Sequence, residues 1–370
     1  MLRKIILKIK DKIDFENINK VIFFASIIII AIGFFSFFSA SIGFLNKMEN
    51  EQFFVSFIKM QMISYIIGFI LLIVFYFINI KILSRFAYYI YGLSIALGLL
   101  IFVPGLEMAH GGGVRWLNLF GFSLQPADII KFASIIIFAT YLSKYKKVLG
   151  TIKYGVIIPG IILLPVIIVF FLQRDLGTLA IIFAIVGGMY FLNKTKILYI
   201  VSAILAGLII VASYAMLNSY VKDRFIGLKE ESYQTKQSLI ALGSGGLTGR
   251  GYGQSVQKFF HLPEPAGDSI YAVVGEEMGF MGTSFIAILF FVLIVSSYFA
   301  AKDIDNAFAR NMIYGIIILY FAQFIMNTGS MTKIIPLSGD TLPFFSKGGS
   351  AIIMNLIELG ILLKLTKRNN

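Results

Sequence analysis

The one long polar interruption in this apolar chain reads Tyr233-Gln-Thr-Lys-Gln-Ser-Leu-Ile-Ala-Leu-Gly-Ser-Gly-Gly-Leu-Thr-Gly-Arg-Gly-Tyr-Gly-Gln-Ser-Val-Gln-Lys258, and then Leu262-Pro-Glu-Pro-Ala-Gly-Asp268. Apolar segments flank it on both sides, so we expect it to lie at the face of a membrane. It is rich in glycine and amide side chains, carries cations and delivers a carboxylate to the next apolar segment. These groups suit a site for a polar headgroup whose lipid tail stays in the bilayer.

Composition indicates an integral membrane protein. Apolar residues make up 58% of the chain and charged residues 14%, with a mean hydropathy of +0.87, which is far from a soluble domain. Windows long enough to cross hydrocarbon fall near 21–44, 61–80, 86–104, 127–143, 154–172, 177–193, 197–217, 269–299, 311–330 and 349–365. We therefore predict an all-α membrane domain of ten transmembrane helices over residues 21–365, with the long loop 218–268 between helices 7 and 8. A basic amphipathic tail (1–20) precedes it and a short tail (366–370) follows.

The lysines and arginines predict the orientation. With the N-terminus in the cytoplasm, 19 of the 32 lysines and arginines fall in cytoplasmic segments, and six others lie in the long loop, which the positive-inside rule discounts. We therefore predict that both termini are cytoplasmic and that the polar loop is extracytoplasmic. The net charge of +13 then reflects topology and anionic lipid, and we expect no nucleic-acid partner. The absence of cysteine excludes disulfides and thiol chemistry.

Two cations near the fourth window are candidate phosphate ligands. Asp128 follows Pro126 in what should be the first turn of a helix, and Lys131 lies three residues later on the same face. A capped helix with an internal ion pair is the interpretation that we favour for Asp128. A cation within a span is costly unless it serves a site, so we interpret Lys131, and similarly Arg115, as cations that face a phosphate.

Further acidic residues have both a structural and a functional interpretation. Helix capping is the favoured role for Asp175, which lies in a tight turn. Asp268 opens a long apolar segment, so it is either a helix cap or a base that takes a proton from a sugar hydroxyl. Glu276 and Glu277 point about 100° apart on a helix, so we expect at least one of them to be structural, for example as a partner of Lys131 or of a backbone group.

The loop before the last window contains Gly339-Asp-Thr-Leu-Pro343 and Ser346-Lys-Gly-Gly-Ser350. Its amides could form an anion-binding nest, although a re-entrant turn is the simpler interpretation. The two histidines, His110 and His261, are isolated and give no metal-binding spacing.

Five strings in this order resemble the SEDS family (shape, elongation, division and sporulation), ten-helix bacterial membrane proteins that include FtsW, RodA and SpoVE. They are Arg115-Trp116, Gln125-Pro126 to Lys131, Asp175-Leu-Gly-Thr178, Tyr233 to Lys258 with Leu262-Pro-Glu264 and Asp268, and Leu342-Pro-Phe to Gly349-Ser350. Ser255 to Lys258 and Gly339 to Pro343 look closer to the division member FtsW than to RodA. The chain departs from the family in having Asp128 where glutamate is frequent and Lys347 where tyrosine is usual.

The resemblance implies a peptidoglycan glycosyltransferase of the bacterial cytoplasmic membrane whose active site is extracytoplasmic. Such an enzyme transfers a strand held on undecaprenyl diphosphate to the GlcNAc 4-hydroxyl of lipid II, with inversion. The resemblance makes Asp268 the catalytic carboxylate. The expected substrate-binding residues are Arg115, Lys131, Lys258, Glu264, Ser346, Gly348, Gly349 and Ser350, and the supporting residues are Asp128, Asp175, Gln237 and Glu277.

The resemblance also implies partners. These are a class B penicillin-binding protein, which is a transpeptidase, and other divisome or elongasome proteins. We expect a divalent cation, Mg²⁺ or Mn²⁺, at the diphosphate, with Asp268 and Glu264 as merely candidate ligands. The alternative function is a lipid II flippase, which should have polar cavities that open to both faces, whereas the candidate groups here gather in the outer segments.

Overall fold

The computed structural model describes residues 15–44, 51–110, 113–119, 122–196, 198–199, 207, 232–337 and 339–367. Its elements in chain order are α1 (Phe15–Ile42), α2 (Glu51–Phe77), α3 (Ile80–Arg85), α4 (Ala87–Leu100), β1 (Glu107–His110), β2 (Gly113–Leu119), β3 (Phe122–Leu124), α5 (Pro126–Lys144), a π-helical turn (Lys153–Ile157), α6 (Ile158–Leu172), α7 (Leu176–Leu192), α8 (Tyr233–Ser244), α9 (Gln257–Phe260), α10 (Ile270–Lys302), α11 (Ala307–Met331) and α12 (Gly349–Thr366).

Nine of the ten predicted apolar windows coincide with helices. Within the described part of the chain, seven helices are long and apolar enough to cross a membrane, and the shorter α4 and α7 cover two more windows. The remaining window, 197–217, lies almost entirely outside the described residues, as do most of the tails predicted at 1–20 and 366–370. The protein is therefore a mostly helical, multi-pass membrane protein, and the count of ten helices remains a prediction.

The all-α prediction misses a small sheet between α4 and α5. Strands β1, β2 and β3 form an antiparallel meander in that order. Strands as short as three residues, in a glycine-rich connection, give too little alternation to be recognised from sequence. Arg115 and Leu117 of β2 lie two residues apart and are both buried, so they share the face of the sheet that is turned to the protein.

Helix α5 is the most enclosed of the described spans. It packs against α4, α7 and α11, while α1 packs on α10 and α2 on α12. Small residues allow close approach of these helices: a side chain at Gly315 of α11 would collide with Ile135 of α5, and one at Gly360 of α12 with the backbone of Leu72 in α2. The first turn of α5 is consequently held in place by neighbours on several sides.

Helix α10 is interrupted at Gly279, which the continuous apolar window did not predict. Gly279 has φ 67° and ψ −167°, a conformation that favours glycine. The loop segment 246–251 pairs with the backbone groups that the interruption leaves free. The bonds run from Arg250 N to Glu276 O, from Gly251 N to Glu277 O, from Phe280 N to Gly246 O and from Met281 N to Leu247 O, at 2.9–3.0 Å. The loop therefore supplies the backbone partners that a broken transmembrane helix needs.

Candidate active site

The predicted outer segments meet at one end of the helical bundle. Arg115 of β2 donates from Nη2 to the carbonyl oxygen of Arg174, in the turn before α7, at 3.0 Å. Ser346, in the loop before α12, donates from Oγ to the carbonyl oxygen of Gly267 at 2.9 Å. The sheet thus contacts the turn before α7, and the last loop contacts the residue before Asp268.

Asp268 and Arg115 face the same small space. A Cβ atom placed on Gly339 would lie 3.4 Å from Asp268 Oδ2 and 3.7 Å from Arg115 Nη1, so these two atoms are at most about 7 Å apart. The N-cap of α10 is Ser269, whose own side chain makes no capping bond. Asp268 immediately precedes this N-cap, and its half-buried carboxylate lies within about 7 Å of the Arg115 guanidinium.

Glu264 lies on the same turn as Asp268. Its carbonyl oxygen accepts bonds from Gly267 N at 3.0 Å and Ser269 N at 3.3 Å, and its Oε2 would lie 3.3 Å from a Cβ at Gly267. Glu264 adopts φ 44°, which is uncommon for a residue other than glycine. This tight turn presents two carboxylates. We refer to Asp268, Glu264, Arg115 and Gly339 as the Asp268 cluster.

Lys131 and Asp128 form the ion pair that their spacing predicts. Lys131 Nζ lies 2.9 Å from Asp128 Oδ1, and both side chains are buried. Ser350, at the start of α12, donates from Oγ to Asp128 Oδ2 at 3.0 Å and accepts a bond from Gln125 N at 3.1 Å. The pair thus joins the first turns of α5 and α12.

Two further acidic residues contribute to the electrostatic environment of Lys131. They are Asp340 in the last loop and Glu358 in α12. Glu358 is 2% exposed, and its Oε2 has no hydrogen-bond partner in the parts of the chain that the structure describes. Lys131 therefore pairs with Asp128 and lies in the electrostatic environment of acidic residues from two further elements, and its predicted contact with a diphosphate stays a prediction.

The last loop is tied to its surroundings through its backbone amides. Lys347 N donates to Ala266 O at 2.6 Å, and Gly348 N donates to Gln61 Oε1 at 3.3 Å. Gly349 is the first residue of α12. Both amides are used within the protein, so the loop is fixed to the turn of Asp268 and to α2. The predicted phosphate contacts of this loop stay predictions.

Lys258 is completely buried. Its Nζ lies 2.6 Å from Glu277 Oε1 in α10, and donates to Ser39 Oγ in α1 and to Gly253 O, both at 2.9 Å. The ammonium thus anchors the polar loop between two helices. A contact between Lys258 and a diphosphate, as predicted, would require this ion pair to open.

Glu276 holds the same loop by a different set of bonds. Its carboxylate accepts from Ser255 Oγ at 2.6 Å and from Val256 N and Gln257 N at 3.1 Å, and Arg250 Nε lies 3.5 Å away. The prediction that at least one glutamate is structural is confirmed, with the loop as the partner of both. We refer to Lys258, Ser39, Glu276 and Glu277 as the loop clamp.

Asp175 caps α7, as predicted. Its side chain accepts from Thr178 N at 3.3 Å and from Thr178 Oγ1 at 2.9 Å. Gln237 is half-buried on α8, and Gln234, three residues earlier on that helix, donates from Nε2 to Ser269 Oγ at 3.0 Å. Gln234 is thus the α8 amide seen to contact the segment of Asp268, and the sequence analysis did not single it out.

Asn327 of α11 is a second residue that the sequence analysis missed. Its Nδ2 donates to Asp268 O at 2.9 Å and to Asp340 O at 2.8 Å. A polar side chain inside an apolar window is expensive in a membrane and marks a candidate site, which is the signal that could have found it.

These features define a multi-pass membrane protein with an acidic site at one end of its helical bundle. The family model described as "Cell cycle protein", which covers FtsW, RodA and SpoVE, matches residues 19–370. The chain belongs to this family, and the predicted family is confirmed.

Bacterial relatives match over nearly their full length. The chain is 32% identical to a probable peptidoglycan glycosyltransferase FtsW of Geobacter sp. (strain M18), covering 95% of this chain and 98% of the relative. It is 31% identical to the stage V sporulation protein E of Bacillus subtilis (strain 168), covering 92% and 95%. The names of these relatives agree with the FtsW-like assignment.

Two solved structures share the fold. The rod shape determining protein RodA of Thermus thermophilus superposes with a TM-score of 0.67 at 22% identity, covering 93% of this chain and 95% of that one. A chain from a structure described as "Structural coordination of polymerization and crosslinking by a peptidoglycan synthase complex" superposes with a TM-score of 0.70 at 23% identity, covering 90% and 96%.

Proposed function

We propose that this protein is a peptidoglycan glycosyltransferase that polymerises lipid II at the outer face of the bacterial cytoplasmic membrane, in the manner of an FtsW-type division protein. The observation that carries the proposal is the Asp268 carboxylate, which faces Arg115 across Gly339 at one end of a membrane bundle. The names of the relatives support the reaction class.

The reaction needs a base and compensation for a leaving diphosphate. Asp268 takes the proton from the GlcNAc 4-hydroxyl of lipid II, and the oxygen attacks the anomeric carbon of the lipid-linked strand. The bond from that carbon to the diphosphate oxygen breaks, so the anomeric configuration inverts. The guanidinium of Arg115 and the ammonium of Lys131 offset the charge that develops on the undecaprenyl diphosphate.

The distribution of positive charge indicates the side of the membrane on which the site lies. The distribution of lysine and arginine favours cytoplasmic termini, which would put the Asp268 cluster outside. Segments 105–131, 173–177, 218–268 and 331–350 were all predicted to be outer. Their convergence in the described structure supports a single extracytoplasmic site, in contrast to the two-sided access that a flippase needs.

A divalent cation fits the Asp268 cluster only with help from the substrate. No group of three or more histidine or acidic side chains that could hold a metal ion occurs within the described ranges. Asp268 and Glu264 lie on one turn, and Mg²⁺ is commonly held by one or two carboxylates together with phosphate oxygens and water. When bound there, the ion would help to neutralise the leaving diphosphate.

The proposed partner is a class B penicillin-binding protein, and the experiment that tests the function measures polymerisation with and without it. Purified protein incubated with lipid II should form little glycan polymer alone and clearly more when the cognate transpeptidase is added, because the family is expected to be activated by that partner. Polymer length is read on a gel. Transfer of lipid II across vesicle membranes without any polymer would favour the flippase instead, and equal yields with and without the partner would contradict the activation.

Replacing Lys131 separates phosphate recognition from structural pairing. We expect Lys131→Met to lower lipid II turnover at least about tenfold in folded protein. The variant also leaves buried acids uncompensated, which lowers the melting temperature. Turnover and melting temperature are measured on the same preparation.

The double variant Lys131→Met/Asp128→Asn is the control for Lys131. It removes both charges of the pair, so it should recover melting temperature. If Lys131 acts on the diphosphate, turnover stays low in the double variant. Recovery of turnover together with stability would make Lys131 a purely structural residue.

A further inference from the structure

Asn327 joins the backbones of two segments that form the site. It lies near the end of α11, which finishes at Met331, and is 1% exposed. Its two amide hydrogens are donated to the carbonyl oxygens of Asp268 and Asp340, at 2.9 and 2.8 Å. The residue before Asp340 is Gly339, which occupies the space between the Asp268 carboxylate and Arg115.

The orientation of the Asn327 amide is unambiguous. Both of its partners are carbonyl oxygens, which only accept, so the NH₂ group must face them. Its Oδ1 has no hydrogen-bond partner among the described residues. Leaving a buried acceptor unpaired is unfavourable, and the side chain is nevertheless held there. The two donated bonds therefore account for the position of this amide.

We infer that Asn327 is a positioning residue, which sets the distance between the Asp268 carboxylate and the loop that carries Gly339. The expected effect of Asn327 on catalysis rests on the proposed function, in which Asp268 is the base. Ser346 makes a second tie between the same segments, through its bond to Gly267 O. A shift of about 1 Å between a base and its substrate can cost roughly 10²-fold in rate, so loss of the Asn327 bonds should act on catalysis through Asp268.

The test compares two buried asparagines of one helix. Asn327→Leu removes both donors at similar size, and kcat should fall about 10- to 100-fold while KM stays within about threefold. The pH profile should keep its shape, since Asn327 touches the backbone of Asp268. Asn311 is equally buried on α11, accepts from Asn193 Nδ2 at 2.9 Å, and lies about 24 Å away along the helix. Asn311→Leu should leave kcat within about threefold.

A second measurement needs no activity. Hydrogen exchange should quicken in segments 264–269 and 339–346 of Asn327→Leu and stay unchanged there in Asn311→Leu. If wild-type protein makes no polymer, the proposed function fails, while this arm still tests the link that Asn327 makes. If Asn327→Leu does not fold, Asn327→Ser replaces it: a hydroxyl donates one bond, so kcat and exchange should be intermediate.

Two results would overturn the inference. One is wild-type kcat and exchange in a folded Asn327 variant. The other is a loss of kcat that Asn311→Leu reproduces at an equal loss of melting temperature, because the effect would then belong to general destabilisation.

Discussion

Asp268→Asn is expected to abolish polymerisation of lipid II while the protein stays folded and membrane-inserted. The substitution keeps the size of the side chain and removes its ability to accept a proton. Asparagine also keeps the side-chain oxygen that a helix cap would use, so the change should not disturb the start of α10. A positioned base contributes about 10²–10⁴-fold to rate, so polymer yield should fall by at least about 10²-fold. Yield is measured on gels with the partner transpeptidase present.

A matched carboxylate controls for the loss of charge. Asp303 is exposed at the other end of α10, so Asp303→Asn removes one negative charge from the same helix without reaching the site. It should polymerise lipid II at the wild-type rate. Polymer yield from Asp268→Asn within about threefold of wild type would sink the assignment of Asp268 as the base.

The largest effect on stability is expected from Lys258→Met. The substitution leaves Glu277 buried with its cationic partner gone, and breaking one side of a buried pair typically costs about 3–5 kcal/mol of the free energy of unfolding. The melting temperature of the purified protein should therefore drop strongly. The double variant Lys258→Met/Glu277→Gln removes the stranded charge and should recover part of the loss.

Arg250→Met provides the comparison for Lys258. Arg250 also faces a glutamate of the loop clamp, at 3.5 Å from Glu276, but its side chain is 41% exposed. An exposed cation contributes little to such a pair, roughly 0–1 kcal/mol. Glu276 also keeps its bonds from Ser255, Val256 and Gln257, so this variant should melt close to wild type. Equal melting temperatures for Lys258→Met and Arg250→Met would show that the buried pair does not anchor the loop.

The spans were predictable because hydrocarbon imposes length and composition on each helix. The interruption at Gly279 could not be predicted, because the sequence of α10 forms one continuous apolar window. Among the described residues, the loop about 30 residues earlier supplies the backbone partners that make the interruption tolerable, through Gly246 and Gly251 among others. A pattern confined to one segment carries no information on such a remote partner.

The residues of the candidate site also fall into those that the sequence predicts and those that it does not. Asp268 and the Asp128–Lys131 pair could be predicted, because an ionisable group at a membrane boundary or within a span needs a reason. The roles of Asn327 and Gly339 depend on which backbone carbonyls and which side chains approach them in three dimensions. Lys258 illustrates the opposite outcome, in which a cation that suggested phosphate binding proves to have protein partners on all its bonds.

The interruption of α10 also imposes an order on biosynthesis. The segment from Phe280 to Lys302 is 23 residues long, which is enough to cross the bilayer alone. Residues 270–278 include the acidic side chains Glu276 and Glu277. Next to the interruption, backbone groups of this segment lack helical hydrogen-bond partners. Exposing them to lipid would cost several kcal/mol per unpaired group. The ribosome makes residues 246–258 first. Residues 280–302 of α10 can therefore insert by themselves. Residues 270–278 become stable only once loop residues 246–258 have folded back onto them.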